Sequence, residues 1–229
     1  MMFEQGEGSL VDFLKFDKDF KKFLPLRHDN IAANIDFADT TISLGVSKVS
    51  GISNAKVDSY TYYTKDQKIK FVITEKHILY IDENKYTSWE NFSEMIFKLL
   101  DIAATVLVKL KITRTSIRFI NKFEFDSFVP TVYFKTMVSQ TEDASVPYPL
   151  TKYSFNLRLD AGDDTFANVN QTSDRLLDKY IYIFDIDVLN YKNLLFDKMS
   201  LMAVMDNLRK VKNEIFFKNI TDKLIEKCN

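Results

Sequence analysis

The residues whose types could do chemistry are Arg114, Arg118 and Arg158, half of the chain's six arginines, and the pair Asp185-Ile186-Asp187. An arginine presents a planar fork that binds carboxylates and phosphates with two parallel hydrogen bonds. Arginines at strand centres in a lysine-rich chain have two uses. One is an ion-pair network that fixes strand register. The other is a recognition face for an anionic ligand, a phosphate backbone or an acidic partner segment. Asp185 and Asp187 are also the type of strand pair that holds Mg²⁺ in phosphoryl-transfer enzymes. That use needs a further carboxylate, and Asp160, Asp163 and Asp164 are the candidates. Gly162 makes Asp163 and Asp164 turn residues first. His28, His77 and Cys228 form no Ser-His-Asp or Cys-His set by spacing. With no P-loop and no G-x-G-x-x-G, the expectation is no catalytic set, no metal and no cofactor.

Strand period decides which of these side chains share a face. In 112–125, Arg114, Ser116, Arg118, Ile120 and Lys122 point away from the apolar parity, which carries Thr115, Ile117, Phe119, Asn121, Phe123 and Phe125. In 152–160, Arg158 lies on the polar parity, opposite Tyr153, Phe155, Leu157 and Leu159. In 179–188, Asp185 and Asp187 emerge together, opposite Tyr182, Phe184, Ile186 and Val188. Residues 166–172 give no clear parity. Arg114, Arg118, Arg158, Asp185 and Asp187 are therefore the candidate ligand-binding or structural polar set, to which Asn121 is joined although its parity is the apolar one.

Other alternating segments run from about residue 30 through Ile35, Phe37, Ile42 and Leu44, then over 56–64, 68–75 and 77–82. Thr87-Ser88-Trp89-Glu90 caps a helix reaching about Val106. Residues 139–150 read as a loop, and 197–227 as one long helix with the apolar line Met202, Met205, Leu208, Val211, Ile215, Ile220 and Leu224. Strands, helix, strands, helix predicts an α+β fold: a curved, mainly antiparallel sheet with long helices on one face and a pseudo-two-fold layout.

Ahead of this, Ser9 opens a helix that Pro25 ends. Phe13, Phe16, Phe20 and Phe23 form its apolar stripe, opposite Lys15, Lys18 and Lys22. The expected organisation is an amphipathic extension over 1–24 and a single domain over 25–229, with the phenylalanine stripe as a partner interface.

Composition narrows the partners. Among 229 residues, 31 are Lys or Arg and 32 are Asp or Glu, a formal net charge of -1. That disfavours a nucleic-acid coat protein, which needs a net basic surface. One cysteine excludes a disulfide framework within the chain. The first residues lack a charged-then-apolar leader pattern, and no run is long and apolar enough for a membrane span. A cytoplasmic location without membrane association is expected.

The stretch Ile112-Thr113-Arg114-Thr115-Ser116-Ile117-Arg118-Phe119-Ile120-Asn121-Lys122 resembles the "R-x-x-L-R-Y-x-N-R/K" strand of a sporadically distributed, uncharacterised bacterial protein family. Tyr86-Thr87-Ser88-Trp89-Glu90-Asn91-Phe92 is similar to that family's tryptophan-bearing helix opener. Phe184-Asp185-Ile186-Asp187 is similar to its "L-D-I-D" strand, and Phe216-Phe217-Lys218-Asn219-Ile220-Thr221 to its closing "F-x-x-x-I-T" helix. The likeness spans residues 26–229 in order. Ser116-Ile117 and Phe119 depart from the commoner Gly-Leu and Tyr. The resemblance implies no activity. Its patchy distribution implies a mobile gene in a toxin–antitoxin or antiviral defence locus. The function expected is a non-enzymatic protein-binding module, a subunit or neutraliser of a neighbouring gene's product. The alternative is a nucleic-acid or nucleotide sensor using the arginine face.

Overall fold

The structure is a computed structural model that describes residues 1–4, 10–35, 52–108, 111–127, 130–135, 152–176 and 178–228. Phe37, Ile42, Leu44 and the 139–150 loop lie outside the described residues. The fold is α+β, with two antiparallel sheets and a few helices. The chain divides into two compact units, one of residues 1–113 and 194–197, the other of 114–193 and 198–229. Residues 1–24 fall in the first unit, and 25–229 is divided between the two.

The first unit contains β1 (Met2–Glu4), a 3-10 helix (Leu10–Phe16), α1 (Asp17–Phe20), β2 (Leu26–Ile35), β3 (Ile52–Tyr63), β4 (Ile69–Thr74), β5 (Ile78–Asp82), α2 (Trp89–Ile102) and α3 (Ala104–Leu107). Its sheet runs in the order β2-β3-β4-β5, antiparallel throughout. Alternation does its expected work: Tyr60, Tyr62, Phe71 and Ile73 are buried on one face. Ser88 caps α2, its hydroxyl accepting from the Asn91 backbone N–H at 3.2 Å. Phe92 of α2 meets Tyr80 of β5 edge to face at 5.4 Å.

The helix expected before Pro25 is short and mostly 3-10. Leu10, Phe13 and Phe16 are spaced by three, the period at which 3-10 side chains eclipse. The pair Lys15–Asp12 (2.8 Å) has the same spacing. Arg27 then ties the following α1 to the sheet. It donates to Asp29 (2.7 Å) and Asp17, which also accepts from the Tyr62 hydroxyl at 3.2 Å. Burial would raise the Asp17 carboxyl, but Lys21 and Arg27 hold it below the usual carboxylate range.

The second unit takes up β6 (Lys111–Phe125) from Arg114 onward, followed by α4 (Pro130–Tyr133), β7 (Lys152–Gly162), β8 (Thr165–Leu176) and β9 (Lys179–Asn190). Short β10 (Leu194–Leu195) returns to the first unit, pairing with the first residues of β6, and α5 (Lys198–Asn219) and α6 (Asp222–Cys228) of the second unit close the chain. The sheet order here is β6-β9-β8-β7, antiparallel at every step. Phe216 of α5 stacks on Phe184 at 5.7 Å, and Phe134 stacks on Tyr182 at 3.8 Å. Helices thus cover the face that carries the apolar parity of β6 and β9.

The single helix expected over 197–227 is two helices. Its break has a local cause. The Thr221 hydroxyl donates to the Val132 carbonyl at 2.7 Å, and the Lys135 N–H donates to the Asn219 carbonyl at 2.8 Å. The segment around α4 thus takes the Asn219 carbonyl and the Thr221 N–H, which a continuous helix would pair within itself. At 22 residues, α5 is ~33 Å long.

Candidate recognition face

Register places the sequence-derived set on the second sheet. Arg118 stands opposite Asp187, Asp187 opposite Asn168, and Asn168 opposite Arg158. The neighbouring row is Ile120, Asp185, Asn170 and Asn156. The next row on the other side is Ser116, Leu189, Phe166 and Asp160. Arg114, Arg118, Arg158, Asp185 and Asp187 therefore share the face away from Phe184 and Tyr182. Strand β8, ambiguous in sequence, contributes Phe166, Asn168, Asn170 and Thr172 to it. Asn121 lies on the helix-covered face, where its amide donates to the Phe184 carbonyl at 3.0 Å.

Arg118 does not pair with the carboxylate directly opposite. It reaches diagonally to Asp185, with Nε to Oδ1 at 2.9 Å and Nη2 to Oδ2 at 2.6 Å. The Asp185 side chain is 9% exposed, whereas that of Arg118 is 57% exposed. Both Asp185 oxygens are thus engaged by a guanidinium whose outer edge faces water. Hydrogen bonding to Asp185 raises the Arg118 pKa further. The pair bridges β6 and β9, so it acts on register as well as charge. Arg118→Ala leaves a buried carboxylate without its partner. The expected cost is about 2 kcal/mol, below the usual range for a buried pair because the arginine end is solvated. Hydrogen exchange of the β6 and β9 amides with and without urea, in Arg118→Ala and Arg118→Lys, checks this, with the lysine recovering part of the loss.

Asp187 is half-buried, and its carboxylate makes no hydrogen bond among the described residues. Burial pushes its carboxyl above the usual range, while Arg118 and Arg114 pull it down. The Nε of Arg114 and the Oδ1 of Asn170 are buried and without hydrogen-bond partners among the described residues. Of the remaining carboxylates considered for a metal, Asp160 stands at the end of this face on β7, and Asp163 and Asp164 lie beyond it. Asp163 and Asp164 occupy the β7–β8 turn with φ of 49° and 57° beside Gly162 at 78°, as the turn reading expects. Asp160 accepts from the Gly162 N–H at 2.9 Å. Among the described residues, no group of three or more His, Cys, Asp or Glu side chains is placed to hold a metal ion.

Arg158 is the feature sequence spacing could not rank. It is exposed on β7, and its guanidinium lies 4.8 Å from the Phe166 ring centroid. Phe166 in turn meets Tyr191 edge to face at 6.0 Å. Arg158 makes no ion pair or hydrogen bond among the described residues. Lys122 is paired with Glu124 at 3.0 Å and Lys152 with Asp174 at 2.7 Å, whereas half-buried Arg114 has no ion pair among the described residues.

The phenylalanine stripe is dispersed. Phe13 and Phe20 are 2% and 0% exposed, in the core of the first unit, where Phe20 lies 4.9 Å from Tyr62 and 5.6 Å from Phe71. Phe16 is half-buried, and Phe23 is the exposed member at 38%. His77 is half-buried in a turn where its N–H donates to the Thr74 hydroxyl at 2.9 Å, and His28 is exposed on β2. No described helix is long and apolar enough to cross a membrane.

No family model, curated protein or solved structure matches the chain. The resemblance of Arg114–Lys122 and Phe184–Asp187 to a bacterial family rests on those short motifs, which lie on adjacent strands β6 and β9.

Proposed function

We propose that the protein is a non-enzymatic binding module that holds an anionic ligand or partner segment on the exposed polar face of its second sheet. The observation that supports this reading is Arg158, exposed, over the Phe166 ring and without a carboxylate partner among the described residues, on a face where Lys122, Lys152 and Arg118 are paired. A guanidinium fixed on an aromatic ring has lost little further freedom to lose on binding, and its donor edge suits carboxylate or phosphate. The bidentate Arg118–Asp185 bond favours the structural half of the sequence reading for that pair. It leaves recognition to the β7–β8 side. Following the resemblance, the setting is a subunit or neutralising partner in a bacterial defence or toxin–antitoxin-type locus.

The test compares tagged wild type with Arg158→Glu, each purified gently from the native host. Copurifying proteins are identified by mass spectrometry, and nucleic acid by the 260/280 nm ratio. The expected result is a companion held by wild type and lost from the variant. Identical companions in both samples, or none in wild type, would count against the reading.

A further inference from the structure

We infer that the occupant of this face is single-stranded nucleic acid, stacked on the Arg158–Phe166 ledge and read by the asparagines beside it. This deepens the proposal above and rests on it. The row Arg118, Asp187, Asn168 and Arg158 crosses four strands in register. Three interstrand gaps span ~14 Å, room for about two or three splayed nucleotides. Asn168 in this row and Asn156 and Asn170 in the neighbouring row present side-chain amides that make no hydrogen bond among the described residues, and the Asn170 Oδ1 is buried in that state. An amide offers a donor and an acceptor side by side, the pattern needed for the edge of a base.

The stacking surface is next to these amides. Arg158 covers Phe166 at 4.8 Å, and Tyr191, 41% exposed, continues the aromatic surface. Bases stack on guanidinium planes and aromatic rings with little sequence preference, and sheet faces backed by helices present such platforms to single strands. An acidic peptide would use the Arg158 fork but would leave the three amides and the aromatic ledge without a role. Duplex binding is disfavoured by the same charge count that disfavours a coat protein: Arg158 is the exposed arginine of the face without an ion pair among the described residues, Arg114 being half-buried, and it supplies about one phosphate contact.

That balance gives the inference a signature. Binding driven by stacking and base edges responds weakly to salt, with a slope of log K against log salt near −1, since each neutralised phosphate contributes about −0.7 in single strands. The experiment is fluorescence anisotropy of the full chain with labelled 12-nucleotide single-stranded RNA and DNA, a hairpin duplex, and a labelled Asp/Glu-rich peptide. Saturable binding to single strands, a shallow salt slope and an about tenfold weakening in Arg158→Ala and in Asn168→Ala are expected. Circular dichroism and urea midpoints keep loss of fold separate from loss of contact. Single-strand affinity unchanged in both variants, or a slope of −4 or steeper, would overturn the inference. If only the peptide binds, and Arg158→Ala abolishes it, this inference fails while the anionic-ligand reading stands. If no probe binds, both fail.

Discussion

Phe20→Ala is expected to destabilise the first unit by about 3–5 kcal/mol, the usual cost of removing a fully buried aromatic ring. Phe20 is 0% exposed and lies between Tyr62 and Phe71. Truncation removes both ring contacts and leaves a cavity that β3 and β4, held in a four-stranded ladder, cannot close. Phe23→Ala, at a site 38% exposed, is expected to cost less than about 1 kcal/mol. Hydrogen exchange of β3 and β4 amides with and without urea reads the first unit separately. A single global midpoint would mix two units and is the wrong observable. A loss below about 1 kcal/mol for Phe20→Ala would mean that the ring is not a core residue in solution. The stripe would then be available to a partner, as its spacing alone suggests.

The stripe shows where sequence periodicity misleads. Spacings of three and four mark an amphipathic segment but do not say what covers it. Here the cover is the first unit's own sheet, reached because α1 is fastened to β2 and β3 by Asp17, Arg27 and Tyr62. Arg27 lies ten residues from Asp17 and Tyr62 forty-five, so no local window contains the bond. The division into two units was equally hidden. β6 reads as one uninterrupted alternating run, yet the boundary falls within it at Arg114. The α+β succession of strands and helices was visible, because period two and period 3.6 are local properties.

The polar face was legible for the strands with clean alternation. The parities of β6 and β9 put Arg118, Asp185 and Asp187 together, and register agrees. Which carboxylate Arg118 selects was not legible, because the directly opposite residue is Asp187 and the bond runs diagonally. β8 was ambiguous for a physical reason. Gln171, Ser173 and Thr165 are buried polar residues on its helix-covered face, so both faces read as polar. Gln171 is accommodated there by the Tyr182 hydroxyl, which donates to it at 2.7 Å. Without the parity of β8, the Arg158–Phe166 ledge and the asparagine rows could not be assembled.

Lys212→Met is expected to stabilise the second unit at neutral pH and to remove a rise in stability between pH 8 and 10.5. The expected apolar line of the closing helix passed through Val211. The buried line of α5 instead runs Leu201, Met205, Leu208 and Lys212, putting a lysine in the packing seam. Its ammonium sits 4.1 Å from the Phe119 ring centroid. That ring attracts the cation, but burial, aided by repulsion from Arg209, lowers the pKa from 10.5 to about 8. Below pH 8 the lysine is charged in both folded and unfolded chains, and the folded state carries the full cost. Between 8 and 10.5 the folded chain releases the proton first, so stability rises with pH and levels off above the unfolded value. The shift corresponds to about 2 kcal/mol once partial solvent access is allowed for. Tyr62 and Tyr80, raised by burial, act in the opposite direction above pH 10, so the difference between wild type and variant is the quantity to plot. Parallel curves for the two proteins from pH 6 to 10.5 would show that Lys212 reaches water freely and that the seam position is not buried.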